Sequence, residues 1–96
     1  MEAEVVYVSA ISAWEIAIKA AIGKLKTPDD LEAQILASRF VPLPVTVTHA
    51  IAAGKLPRHH GDPFDRMLIA QASLESLTLL TNDARLKAYD ARIMLA

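Results

Sequence analysis

Three carboxylates stand out because each belongs to a largely apolar stretch: Glu15, Asp65 and Asp83. By the i+3, i+4, i+7 rule Asp65 shares a helical face with Leu68, Ile69 and Ala72, and Glu15 shares one with Ile18, Ile22 and Lys19. Neither acid sits on a wholly polar face. Carboxylates gathered at a partly buried edge repel one another and raise one another's pKa unless a cation is present. Mg2+, with Mn2+ as the alternative, resolves that conflict, because hard cations take oxygen ligands and retain water or substrate phosphate in their shell. A capping reading stands beside the metal one. Each acid is expected in the first turn of a helix, where caps and the helix dipole favour Asp and Glu, and Glu15 also has an i+4 partner in Lys19. Asp62 reads as a plain N-cap, and Asp29, Asp30 and Asp90 read as surface residues.

Other chemistry is sparse. His59 and His60 lie beside Asp62 and Asp65, but adjacent histidines on an extended loop point in different directions and no usual zinc spacing is present. They suit contact with phosphate or an acid or base role. There is no Gly-rich phosphate loop and no G-x-S-x-G elbow. Ser9 and Ser12 read as caps, and Trp14 as a core residue.

The elements that would position these groups follow from the apolar patterning. Glu4 to Ser9 is β-branched and too short for a helix, so it reads as a strand buried on both faces, which implies a parallel sheet. From Ser12 the period becomes helical, with Trp14, Ile18, Ile22 and Leu25 on one stripe and Gly23 as the stop; Ser12 and Glu15 have capping-box spacing. Thr27 caps a second helix, with Pro28 in its first turn. Val41 to Val47, broken by Pro42 and Pro44, reads as an edge strand or its approach. A short helix follows from Thr48 to Lys55. After the polar loop Leu56 to Asp62, Asp62-Pro63 opens an apolar helix to about Ser76. Leu77 to Thr81 is a strand, Asn82-Asp83 caps a short helix to about Ala88, and Arg92 to Leu95 is a last strand. Alternating strands and helices give an α/β fold, with a mostly parallel sheet and right-handed crossovers. In such a sheet helix N-termini lie at the carboxyl edge of the strands. Glu15, Asp65 and Asp83 are all expected at that edge.

With 96 residues, 53% of them hydrophobic and 22% charged, the chain suits one domain spanning residues 1–96. The absence of cysteine excludes a disulfide framework and a cysteine nucleophile, and suits the cytoplasm. No apolar run approaches the roughly 18 residues of a membrane span. A net charge of -1 argues against a broad basic surface for nucleic acid. Any such binding is local, on a patch drawn from Lys19, Lys24, Lys26, Lys55, Arg58 and Arg66.

Three blocks together resemble one known family: Val8-Ser9-Ala10-Ile11-Ser12-Ala13-Trp14-Glu15-Ile16, Asp62-Pro63-Phe64-Asp65-Arg66-Met67-Leu68-Ile69-Ala70-Gln71-Ala72, and Leu77-Thr78-Leu79-Leu80-Thr81-Asn82-Asp83. In this order and spacing, and with Gly23-Lys24-Leu25 and His60-Gly61, the chain looks like a PIN domain of the VapC toxin type. The resemblance implies a three-layer, Rossmann-like fold with a mostly parallel sheet flanked by helices. It implies a Mg2+-dependent endoribonuclease of a toxin-antitoxin pair, dimeric and inhibited by a VapB-like antitoxin. Carried over by motif, Glu15 matches the second acid, Asp65 the third and Asp83 the fourth, with Asn82 as an alternative for the last; Arg66, His60, Ser9 and Asn82 are the implied substrate contacts. Similar domains begin with a further strand ending in the first metal-binding Asp, followed by helical sequence, before anything like Val5 to Ser9. The resemblance therefore implies an N-terminally truncated domain without that acid. The alternative is a PIN-like interaction domain without catalysis, binding an antitoxin or itself, with its acids as caps. A metal-dependent phosphatase or DNA nuclease using the same acids is a third reading.

Overall fold

A computed structural model describes residues 5–24, 26, 30–59, 61–81 and 83–95. Glu4 of the first expected strand, Leu25 of the first helical stripe, Thr27 to Asp29 at the second helix start, and the expected substrate contacts His60 and Asn82 lie outside the described residues. The chain divides into two compact units, Met1–Pro44 and Val45–Ala96.

The first unit runs β1 (Tyr7–Ser9), α1 (Ala10–Ala21), α2 (Leu31–Ala37) and β2 (Val41–Leu43). The two strands pair in parallel, Tyr7 opposite Val41 and Ser9 opposite Leu43, and the two helices form the crossover that a parallel pair requires. Helix α1 begins earlier than the Ser12-Glu15 spacing suggested. Ser9 is its N-cap, accepting the Ile11 N–H at 3.1 Å. Glu15 therefore lies beyond the first turn, where it pairs with Lys19 at 3.2 Å as the i+4 spacing anticipated. Gly23 ends the helix as expected: at φ +77° it lets Gly23 N–H reach Ala20 O and Lys24 N–H reach Lys19 O. Asp30, read from sequence as a surface residue, caps α2 by accepting the Ala33 N–H at 3.0 Å.

Burial in this unit departs from expectation. Among the described residues only Tyr7–Ser9 of the first segment is strand, of it Ser9 alone is buried, and β1 pairs there with one neighbour, β2. Ile11 is the buried residue of α1, while Trp14 and Ile22 are 58% and 61% exposed. Trp14, Ile18 and Ile22, read as part of one helical stripe, thus lie at the surface.

The second unit runs α3 (Val47–Lys55), α4 (Pro63–Leu74), β3 (Leu79–Thr81), a 3-10 helix (Ala84–Ala88) and β4 (Ile93–Leu95). Strands β3 and β4 are parallel, Leu79 opposite Ile93 and Thr81 opposite Leu95. Ile69, Leu86 and Tyr89 form its buried core, with Leu56, Leu79, Ala91 and Ile93 packed against it. Thr46 and His49 close the N-terminus of α3 reciprocally: Thr46 Oγ1 accepts the His49 N–H, and His49 Nδ1 accepts the Thr46 N–H, both at 3.1 Å. This is a capping box with imidazole in the place of Glu or Gln, and it starts α3 before Thr48. Asp62 is the N-cap of α4, as expected, accepting the Phe64 N–H at 2.9 Å, with Pro63 in the first turn.

The chain is thus an α/β protein with parallel strands. Among the described residues they form two two-stranded sheets rather than one continuous sheet. No helix among those residues is long and apolar enough to cross a membrane.

Candidate metal and nucleic-acid site

Asp65 is in the first turn of α4, three residues after the Asp62 cap, and it is half-buried. Asp83 directly follows the end of β3 and caps the 3-10 helix, accepting the Arg85 N–H at 3.0 Å. Its own N–H donates to Thr81 Oγ1 at 3.1 Å, which fixes the turn out of the strand. Because α4 leads into β3, the start of α4 and the end of β3 belong to one end of this unit.

Electrostatics at Arg85 agree with that placement. Its guanidinium forks onto Asp83, with Nη2 2.7 Å from Oδ2 and Nε 2.9 Å from Oδ1 and 3.2 Å from Oδ2. The hydrogen bond and charge of Asp83 hold Arg85 above its ordinary pKa, and the charges of Asp65 and Asp62 add to the effect. Asp83 is the carboxylate that holds this guanidinium.

Donor type and number decide whether this group suits a divalent cation. The acids offer only oxygen, and Mg2+ is commonly held by one or two carboxylates with water and substrate phosphate completing the shell. Asp65 and Asp83 are donors of that oxygen type. Among the described residues no three His, Cys, Asp or Glu side chains converge tightly enough to enclose an ion by themselves. Glu15 belongs to the first unit and is engaged with Lys19.

Of the expected substrate contacts, Ser9 and Arg66 have duties within the fold. Ser9 caps α1. Arg66 donates from Nη2 to Ala53 O and Leu56 O, and from Nη1 to Pro57 O, each at 2.9 Å, so its guanidinium gathers the carbonyls at the C-terminal end of α3. That is the favoured position for a cation on the helix dipole. Arg66 also lines, with Gly54, Arg58 and Gly61, a shallow recess of about 340 Å³. Exposed Arg58 is the second guanidinium there.

Sequence reasoning passed over His49. It is 2% exposed, with Nε2 2.8 Å from Glu75 Oε2 and Nδ1 3.2 Å from Gln71 Nε2. Nδ1 accepts the Thr46 N–H, so the ring's proton sits on Nε2, directed at Glu75. Both nitrogens are engaged in holding α3 on α4. The Thr-x-x-His spacing was the available signal, hidden because capping boxes are sought with Glu or Gln.

The sequence model of one family, described as PIN domain, matches residues 1–92. No curated protein matches the chain.

Proposed function

Because the chain belongs to the PIN domain family, whose members are in general metal-dependent nucleases, we propose that it is a Mg2+-dependent endoribonuclease of the VapC toxin type. The observation that carries the reading is the match of the family model to residues 1–92, with Asp65 in the first turn of α4 and Asp83 just past the end of β3. Asp65 and Asp83 would hold the ion, and Glu15 matches the family's second acid by motif alone. Bound there, Mg2+ or Mn2+ supplies an activated water and counter-charge for the scissile phosphate. Asp62 keeps Asp65 in register by fixing the first turn of α4. Thr81 does the same for Asp83 at the end of β3.

RNA is the substrate class, and exposed Arg58 at the recess beside Arg66 supports it by offering a local cation on a chain whose net charge is only -1. The exposed stripe Trp14, Ile18, Ile22 on α1 supports a homodimer, since contiguous apolar side chains at helical spacing mark an interface. A VapB-like antitoxin completes the reading as the inhibitor, and the cytoplasm as the compartment.

The competing reading is a non-catalytic interaction domain. It is favoured by the structural work of Asp62 and Asp83, both of which cap helices. One assay separates the two: structured RNA, DNA and a phosphomonoester are each incubated with the protein in Mg2+, in Mn2+ or in EDTA. Cleavage of RNA that EDTA abolishes supports the nuclease. Cleavage of DNA or of the monoester alone replaces the substrate class, and inertness toward all three favours the interaction domain.

A further inference from the structure

We propose that Arg85 is an internal counter-cation that occupies the coordinating oxygens of Asp83 and competes with a divalent ion for them. The proposal rests on the metal reading above and adds a residue that regulates the same site. Both oxygens of Asp83 are engaged: Oδ2 takes Nη2 at 2.7 Å, and Oδ1 takes Nε at 2.9 Å and the Arg85 backbone N–H at 3.0 Å. A carboxylate oxygen accepts along a limited number of lone-pair directions, so a guanidinium bridging both oxygens blocks the approach that an ion needs. Planar, two-point contact of this kind gives Arg its hold on carboxylates.

The exchange is easy to reverse, because the Arg85 side chain is 70% exposed and can swing into solvent without opening the core. The Asp83 side chain, at 23%, stays where it is. The cap survives as well, since Oδ1 receives it from the backbone of residue 85, whatever side chain stands there. Arg85 thus stabilises the acids while the ion is absent and leaves when it binds. Two states of one side chain, each fixed by a different cation, are the whole device.

The test is calorimetric titration of Mn2+ into the parent chain and into Arg85→Ala, Arg85→Lys and Asp83→Asn, with circular dichroism to confirm folding. The dissociation constant of Arg85→Ala should fall about three-fold, the modest scale of an exposed ion pair. Arg85→Lys should fall in between, having charge without the fork, and Asp83→Asn should bind most weakly. Unchanged or weaker binding by Arg85→Ala, in a parent that binds Mn2+, overturns the counter-cation role and leaves the metal reading standing. No binding by the parent or any variant overturns the metal reading, and the role of Arg85 falls with it.

Discussion

His49 of α3 and Gln71 of α4 meet through a hydrogen bond of 3.2 Å between Nδ1 and the side-chain amide, at 2% and 1% exposure. A buried amide on an apolar helix must find partners, and losing one leaves a group unsatisfied at a cost of about 1 to 3 kcal/mol. His49→Ala removes the Gln71 partner, the bond to Glu75 and half of the capping box together. Urea unfolding should show a loss of about 2 to 4 kcal/mol, while Glu75→Gln, on the exposed side, should lose less than about 1 kcal/mol.

Arg66 is a second fastening of α3, at its opposite end. Three carbonyls share its guanidinium, and Lys could reach only part of that set with a single ammonium. Arg66→Lys should lower stability by about 1 kcal/mol and Arg66→Ala by about 2 kcal/mol, read from thermal melts. If Arg66→Ala leaves the melt unchanged, the gathering of carbonyls contributes nothing to the fold.

Helix ends supply a third test. Three helices close with a left-handed residue after the cap: Gly23 after α1, Arg39 after α2 at φ 63° and Ser76 after α4 at φ 56°. In each, the following N–H reaches back to the last turn: Lys24 to Lys19 O, Phe40 to Ile35 O and Leu77 to Ala72 O. Left-handed backbone costs an L-residue roughly 1 to 2 kcal/mol. Ser76→Gly and Arg39→Gly should each stabilise the protein by about 0.5 to 1 kcal/mol.

These three features show what the sequence revealed and what it hid. Gly23 was legible because glycine announces a left-handed turn, whereas Arg39 and Ser76 carry no such mark. Asp62-Pro63 located the start of α4 to the residue, since both types are favoured at helix starts. The α/β class and parallel pairing followed from β-branched runs separated by helical ones. Trp14 was misplaced because an apolar stripe has the same period whether a core or another molecule covers it. Glu15 was set in the first turn because Ser12 offered the more familiar capping spacing, when Ser9 already capped the helix. Asp65 and Asp83 were assigned to one end of the fold by element order alone; that Arg85 stands on Asp83 was beyond reach, because a side-chain rotamer leaves no sequence pattern.

RNA binding should depend on Arg58. If it contacts a phosphate, Arg58→Ala should weaken binding about equally across unrelated RNA sequences and lower the slope of log K against log salt by roughly one. Fluorescence anisotropy at several salt concentrations reads both effects. A loss confined to one sequence would indicate base contact, and no loss would remove the recess from the RNA path.

The central claim is that Asp65 binds a divalent metal, and it is tested most directly by calorimetric titration of Mg2+ and Mn2+ into the parent, Asp65→Asn and Asp90→Asn. Asn keeps the size of Asp and removes the charge, and exposed Asp90 controls for a general change in net charge. Asp65→Asn should weaken binding by at least about ten-fold, while Asp90→Asn should match the parent. Equal affinity in all three would contradict the metal site and return Asp65 to a helix-dipole role at the start of α4.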